Sequence, residues 1–274
     1  MAKATTAEII IEIEKAELLF KSGRAKAGLT FQHEVKLPLD EIGKIKGWEK
    51  LPEDFLSAIS FCHFACSRDM SRPVLTCLNI KEDGSIEASD AYRAIRYALK
   101  EKMPVSTFLL PASATRELSR LKIVEISMGE GWAHFRDEHD TIFSCRIFAE
   151  SFPDVVSVLN MTDATELKLP DDIGGILERA AIFAKQDISF DETVTVIAKG
   201  QKFSINSEMA GGWFTEWGKL EGGRSDFSFR INPAFLQDAL RHLTNCSIST
   251  QKIAFFGKNW THIIALRTVP VGKE

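Results

Sequence analysis

The chain repeats itself, and an internal repeat narrows the possible folds more than any composition does. Pro52-Glu53-Asp54-Phe55 opens an apolar helical stretch, and Pro170-Asp171-Asp172-Ile173 opens another 118 positions later. Ser89-Asp90 follows the strand-like GSIEA, and Ser207-Glu208 follows KFSIN, again 118 positions on. Pro111 and Pro233 each begin a second helix, 122 positions apart. VEISMGEGWAHFRDEHDTIFSCRI then matches CSISTQKIAFFGKNWTHIIALRT as three alternating strands separated by turns. Four matches in one order predict two copies of one module.

Each copy carries physical start signals for its helices. Proline suits a first helical position because the N–H it lacks has no partner there, and Asn232 can cap the amides that follow. Glu53, Asp54, Asp171 and Asp172 set negative charge at helix N-termini, where the dipole favours it. Between the helices, VLTCLNIKEDGSIEAS and ETVTVIAKGQKFSINS alternate apolar and polar residues around turns such as Asp83-Gly84, which predicts hairpins. Each copy reads as helix, strands, helix, strands: an α+β unit with helices segregated to one side of antiparallel sheets. AEIIIEIEKAELLFKSGRAKAGLTF has the three-strand rhythm of the copy ends with no helix before it, so an incomplete third copy is expected at the start.

Composition excludes several classes. The 274 residues, 45% of them hydrophobic, suffice for two or more packed cores. A net charge of −4 argues against a protein that simply coats nucleic acid. Five cysteines do not make a disulfide framework, which points to a reducing compartment. No apolar run reaches membrane-spanning length and MAKATTAEII has no cleavage signal, so a cytoplasmic protein is expected.

Several stretches together resemble the bacterial DNA polymerase III beta-subunit sliding clamp family. They are LLFKSGRAKAGL (18–29), RPVLTCLNI (72–80), IEASDAYRAI (86–95), SCRIFAESFPDVVSVL (144–159), FSFRINPAFLQDAL (227–240) and TVPV (268–271). The resemblance spans essentially the whole chain, with 1–47 as the last strands of a first clamp domain, 48–160 as a second and 161–274 as a third. It implies a DNA clamp fold: six similar domains from a homodimer, sheets outside, helices lining a hole for duplex DNA. Such a ring is a non-catalytic processivity factor. It holds double-stranded DNA without reading sequence and docks polymerase and clamp loader through short linear peptides. No cofactor and no metal are expected.

Three sets of residues follow from the resemblance. A lining that slides must touch phosphates rather than bases, and the basic residues on or near the predicted helices are Arg68, Arg72, Arg116, Arg120, Lys122, Arg179, Lys185 and Arg241. Asp171, Asp172, Glu117, Glu178 and Asp238 share those helices, and a mixed solvated face is the alternative. The peptide groove maps to Leu75, Ser89, Asp90, Ala91, Tyr92, Arg93 and Ala94, with Pro153, Ser157 and Val158, closed by Val269, Pro270 and Val271. The family pattern there resembles Thr-Asp-Gly. Ala91 takes the glycine position, and Val269 and Val271 replace methionines, implying a smaller pocket or another peptide. The dimer contact maps to Ala27 and Leu29 against Ile182 and Phe183. With the first domain incomplete, the second reading is a clamp-derived peptide-binding module that does not encircle DNA.

Other patterns carry less. Cys62-His63-Cys66 has no second ligand pair at zinc spacing, so buried core thiols are expected. Ser119-Arg120-Leu121-Lys122 lacks the companion motifs of acyl-transfer enzymes. Gly211-Gly212 and Gly222-Gly223 read as hairpin turns, and His134 and His139 as parts of a surface hairpin. Trp132, Trp213, Trp217 and Phe255 alternate as strand residues do, and core packing is expected rather than base stacking.

Overall fold

A computed structural model describes residues 8–31, 42, 45, 47–188, 191–220 and 226–267. They fall into two compact units, one within Met1–Ile42 and one within Gly43–Glu274. Val269, Pro270, Val271 and Gly222-Gly223 lie outside the described residues.

The first unit is an antiparallel meander of β1 (Ile10–Glu14), β2 (Glu17–Ser22) and β3 (Ala25–Thr30). Its register puts Ile11, Ile13, Leu18, Phe20, Ala27 and Leu29 on one face. Leu19, on the other face, is buried, whereas β3 is exposed along its whole length.

The second unit holds both copies of the repeat. The first copy runs β4 (Glu49–Lys50), α1 (Phe55–Cys62), β5 (Cys77–Ile80), β6 (Ser85–Ser89), β7 (Arg93–Ala98), β8 (Phe108–Pro111), α2 (Thr115–Leu121), β9 (Glu125–Gly129), β10 (Trp132–Arg136) and β11 (Ile142–Arg146). A one-turn helix α3 (Val156–Leu159) leads into the second copy. This runs β12 (Thr165–Lys168), α4 (Ile173–Ile182), β13 (Val194–Lys199), β14 (Lys202–Met209), β15 (Gly212–Lys219), β16 (Phe227–Ile231), α5 (Pro233–Leu240), β17 (Asn245–Ile248), β18 (Lys252–Phe256) and β19 (Trp260–Ala265). The copies have one topology. Sheet order β11-β10-β9-β4 matches β19-β18-β17-β12, and β7-β6-β5-β8 matches β15-β14-β13-β16. Strand β19 pairs with β7, fusing two of these sheets into one of eight strands.

Each copy builds its own core from its own periodicity. Phe55, Ala58, Ile59 and Cys62 form the buried face of α1, and Ile173, Ile176, Leu177 and Ala180 recur 118 positions later on α4. Full burial of such a side chain contributes about 1.5–3 kcal/mol, so the repeated face sets where each helix lies. Around α1 the core closes with Ile86, Ile95, Leu118, Ile126 and Phe135, and around α4 with Ile205, Phe229, Leu236, Ile253 and Phe255. The thiols of Cys62 and Cys66 are buried in the first core, as expected, and burial holds both above the usual range.

Asn232 caps α5 as expected, its side chain accepting from the Ala234 N–H at 3.0 Å. Pro111, however, is the counterpart of Asn232 rather than of Pro233: both hold an extended cap position, with ψ of 128° and 124°. Pro111 ends β8, a 3-10 turn Ala112–Ala114 follows, and α2 begins only at Thr115. Asp54 and Asp172 sit at the N-caps of α1 and α4 without a side-chain cap bond, and the Asp54 carboxylate instead accepts from the Lys100 N–H. Gly211 lies in the β14–β15 turn. Two expectations are corrected. His134 is not at a surface but fully buried, with Nδ1 2.8 Å from the Ser144 hydroxyl. Trp213 and Trp217 are not in the core: on edge strand β15 they are 73% and 68% exposed. Phe255 is buried as expected.

Candidate functional site

The turn between β6 and β7 holds the most ordered polar cluster near the mapped groove. Asp90 is buried, and one carboxylate oxygen accepts from the backbone N–H groups of Tyr92 and Arg93, each at 3.0 Å. The Ser89 hydroxyl donates to the Arg93 carbonyl at 2.8 Å and accepts from the Ala91 N–H at 3.2 Å. These bonds bend the chain so tightly that Ala91 takes φ +74°, the left-handed region. Alanine thus adopts the conformation that glycine would take without strain. Ala91→Gly is expected to stabilise the protein by about 1 kcal/mol, the usual cost of a left-handed non-glycine residue. Urea midpoints of the two proteins check it.

The Arg93 side chain, 8% exposed, does not face an open groove. It bridges the two copies. Nε donates to Asp90 Oδ2 at 3.0 Å, Nη1 to Asp238 Oδ2 on α5 at 2.7 Å, and Nη2 to the Phe64 carbonyl at 2.7 Å. Its guanidinium also lies 4.3 Å from the Phe235 ring centroid and 5.2 Å from that of Phe64. All three directions of the planar fork are engaged, the arrangement arginine suits and lysine does not. Sequence reasoning found Arg93 but missed Asp238 as its partner, because no local pattern links residues 145 apart.

The other groove candidates divide into a buried foundation and an exposed rim. Leu75, Ser89 and Ala94 are buried, whereas Ala91, Tyr92, Pro153, Ser157 and Val158 are exposed. Helix α3 packs on β7 and β19, which brings Ser157 and Val158 to the seam between the copies. The Lys252 ammonium holds its C-terminal end, donating to the Val158 carbonyl at 2.8 Å and to that of Asn160. Tyr92 leans on Phe235 with ring centroids 6.3 Å apart. Pro153 also borders a separate cavity of about 660 Å³, lined by Phe108, Met128, Phe148, Phe152 and Val156, with Glu87 among its polar residues.

All eight basic helix candidates are exposed, but half of them face carboxylates. Arg120 pairs with Glu117, Arg179 with Glu216, Lys185 with Glu192 and Arg241 with Asp238. The fork of Arg179 grips Glu216 through two bonds of 2.8 and 2.6 Å, which raises the arginine pKa further and lowers that of the glutamate. Arg68, Arg72, Arg116 and Lys122, all in the first copy, have no ion pair among the described residues. Lys122 ends α2 in the left-handed conformation, φ 55°. Of the mapped dimer residues, Ala27 and Leu29 lie on exposed β3, Ile182 is exposed, and the Phe183 ring stacks on Phe214 of β15 at 5.9 Å.

No family model matches the chain, and no curated protein does. Solved structures do match it. The DNA polymerase III subunit beta of Pseudomonas aeruginosa is similar with a TM-score of 0.74 and 17% identity, over 95% of this chain and 76% of that one. The DNA polymerase III beta chain of Streptococcus pneumoniae gives 0.75 and 20% over 95% and 75%. The DNA polymerase sliding clamp of Bacillus subtilis gives 0.71 and 20% over 98% and 77%. The fold is therefore that of a sliding clamp, α+β with antiparallel sheets. More particularly, it is the fold of bacterial DNA polymerase III beta subunits.

Proposed function

We propose that the chain is a DNA polymerase processivity factor: a non-catalytic cytoplasmic sliding clamp that encircles duplex DNA and docks polymerase and clamp loader through short peptides. The observation that carries this reading is the doubled module, with one sheet order in both copies and an edge-to-edge joint between them, in a sliding-clamp fold that spans 95% of the chain. Arg68, Arg72, Arg116 and Lys122 are then the phosphate contacts, and Tyr92 and Val158 the apolar rim over which a peptide lies. Self-association runs through the β15 side, where Ile182 and Phe183 sit. In the homodimer that the resemblance implies, Ala27 and Leu29 of a second copy would meet them.

The pairing of four helix cations with carboxylates favours the second reading, a peptide-binding module that does not encircle DNA. Loading on circular DNA at physiological salt separates the two. A clamp is expected to stay on the closed circle and to leave once the circle is cut. Equal retention on both forms would sink encirclement, because charge attraction alone does not depend on DNA ends.

A further inference from the structure

Trp213 and Trp217 join neither core, and the strand register shows what surrounds them. Along β15, Trp213, Thr215, Trp217 and Lys219 share one face, while Phe214 packs toward the core from the other. That other face is the one turned to α4, where the Ser207 hydroxyl donates to the Ala180 carbonyl at 2.7 Å. The indoles therefore stand on the side of the sheet away from the helix. Residues of one face recur about every 7 Å along a strand, which sets the two indoles about 14 Å apart. The floor beside them is polar and tied down: the Thr215 hydroxyl donates to Asn206 Oδ1 at 2.9 Å, and Asn206 Nδ2 donates to the Ser204 hydroxyl at 3.2 Å. Large apolar side chains held in solvent on such a floor mark a contact surface.

Cations border both indoles. In the row beyond Trp217, Lys219 on β15, Lys202 on β14 and Lys199 on β13 stand side by side. All three are exposed, and none has an ion pair among the described residues. Like charges on paired strands cost stability unless a counter-charge meets them. Arg230 on β16 lies in the row of Thr215, with Nη2 donating to the Thr193 hydroxyl at 3.0 Å and no carboxylate partner among the described residues. Trp213 and Arg230 border a hollow of about 980 Å³, and Lys199 and Lys202 border another of about 530 Å³. Of the acids at the margins, Asp191 pairs with Arg267 and Asp226 accepts from the Gly200 N–H at 2.8 Å. Glu208 lies opposite Trp213, at the end away from the lysines.

We infer that this face binds single-stranded nucleic acid, with bases stacked on Trp213 and Trp217 and phosphates met by the lysine row and Arg230. Indoles stack on any unpaired base, whatever the sequence, and cations alongside follow the backbone. In a duplex the flat faces of the bases already cover one another, so the same surface discriminates against it. A neutral sugar would leave the cations without a partner, and an acidic peptide would leave the indoles without a flat one. The site is separate from the phosphate contacts proposed on the first copy and does not require encirclement. A strand added at the edge of β15 would extend the sheet and leave this face open.

Short oligothymidylate is the probe, because it forms no duplex and is free to leave a ring by its ends. At low salt it is expected to quench tryptophan emission saturably. Trp213→Ala and Trp217→Ala should each weaken binding about 5- to 150-fold, the range for loss of one stacked base. Trp217→Phe should keep most of the affinity, since a phenyl ring also stacks. Combining Lys199→Gln, Lys202→Gln and Lys219→Gln should reduce the slope of log affinity against log salt by about 2, a change that loss of packing alone does not produce. Absence of saturable quenching, wild-type affinity in both alanine variants, or equally tight binding of a duplex of the same length would each overturn the site. Saturable quenching by polyglutamate or by a neutral oligosaccharide, without quenching by oligothymidylate, would give the face to an acidic peptide or to a sugar instead. Retention on duplex circles tests encirclement separately, so either result can fail while the other stands.

Discussion

Arg93→Ala is expected to destabilise the second unit by about 3–5 kcal/mol, the range for breaking a buried ion pair from one side. The cost is not the sum of the lost bonds. It arises because Asp90 is buried and Asp238 largely so, and without Arg93, among the described residues, the Asp90 carboxylate keeps only backbone donors while Asp238 keeps only exposed Arg241. The Phe64 carbonyl loses its donor as well, and the Phe235 ring loses the guanidinium above it. In a unit of this size the melting temperature should fall by roughly 10 °C. Arg93→Lys should recover only part of this, since a single ammonium cannot span both carboxylates and lie flat on a ring. In an Asp238→Asn background the same Arg93→Ala change should cost less, and the difference measures the coupling between the copies. Hydrogen exchange locates the effect: the Ala265 N–H, bonded to the Tyr92 carbonyl at 2.8 Å, should lose protection ahead of the buried core strands. A loss below about 1 kcal/mol in urea would show that the bridge contributes no more than an exposed pair.

This bridge also shows how much could be read from the sequence. The doubled module was legible because burying a helix face requires apolar residues at fixed spacing, and Phe55, Ala58, Ile59 and Cys62 leave the same trace as Ile173, Ile176, Leu177 and Ala180. Hairpins were legible for a like reason: Asp83-Gly84 turns where Gly84 has φ +88° and a Cβ would come within 2.6 Å of the Glu101 carbonyl oxygen. The start of α2 was misread because proline suits the end of a strand as well as the first turn of a helix. Only the cap geometry of Asn232 reveals the true alignment. For the tryptophans, alternation says which residues share a face but not which face meets the core. Trp213 and Trp217 alternate correctly and point away from it, while Phe214 between them packs inward. The ion pairs that occupy Arg179 and Arg93 join residues 37 and 145 positions apart, beyond any local pattern. Basic residues on predicted helices therefore indicated a charged face without indicating which charges are free.

His262→Phe is expected to abolish most of an acid sensitivity that the joint builds in. His262 is buried on β19 between Phe64 and Phe255, with ring centroids at 5.4 and 6.4 Å, and its Nε2 has no hydrogen-bond partner among the described residues. Burial holds its pKa down to about 3, with Arg93 and His242 adding repulsion. A folded-state value below the unfolded value of about 6.5 means that the unfolded chain binds the proton first. Stability is therefore complete above about pH 6.5 and lost as pH falls toward 3, at about 1.4 kcal/mol for each unit between the two values. At pH 5 the loss is about 2 kcal/mol. Phenylalanine suits the site on the protein's own precedent, since Phe143 holds the equivalent position in the first copy. The variant should differ little from wild type at pH 7.5 and exceed it by about 2 kcal/mol at pH 5, measured as urea midpoints at each pH. Parallel pH profiles for the two proteins would mean that the imidazole is solvated in the folded state, and that the seam between β7 and β19 opens to water.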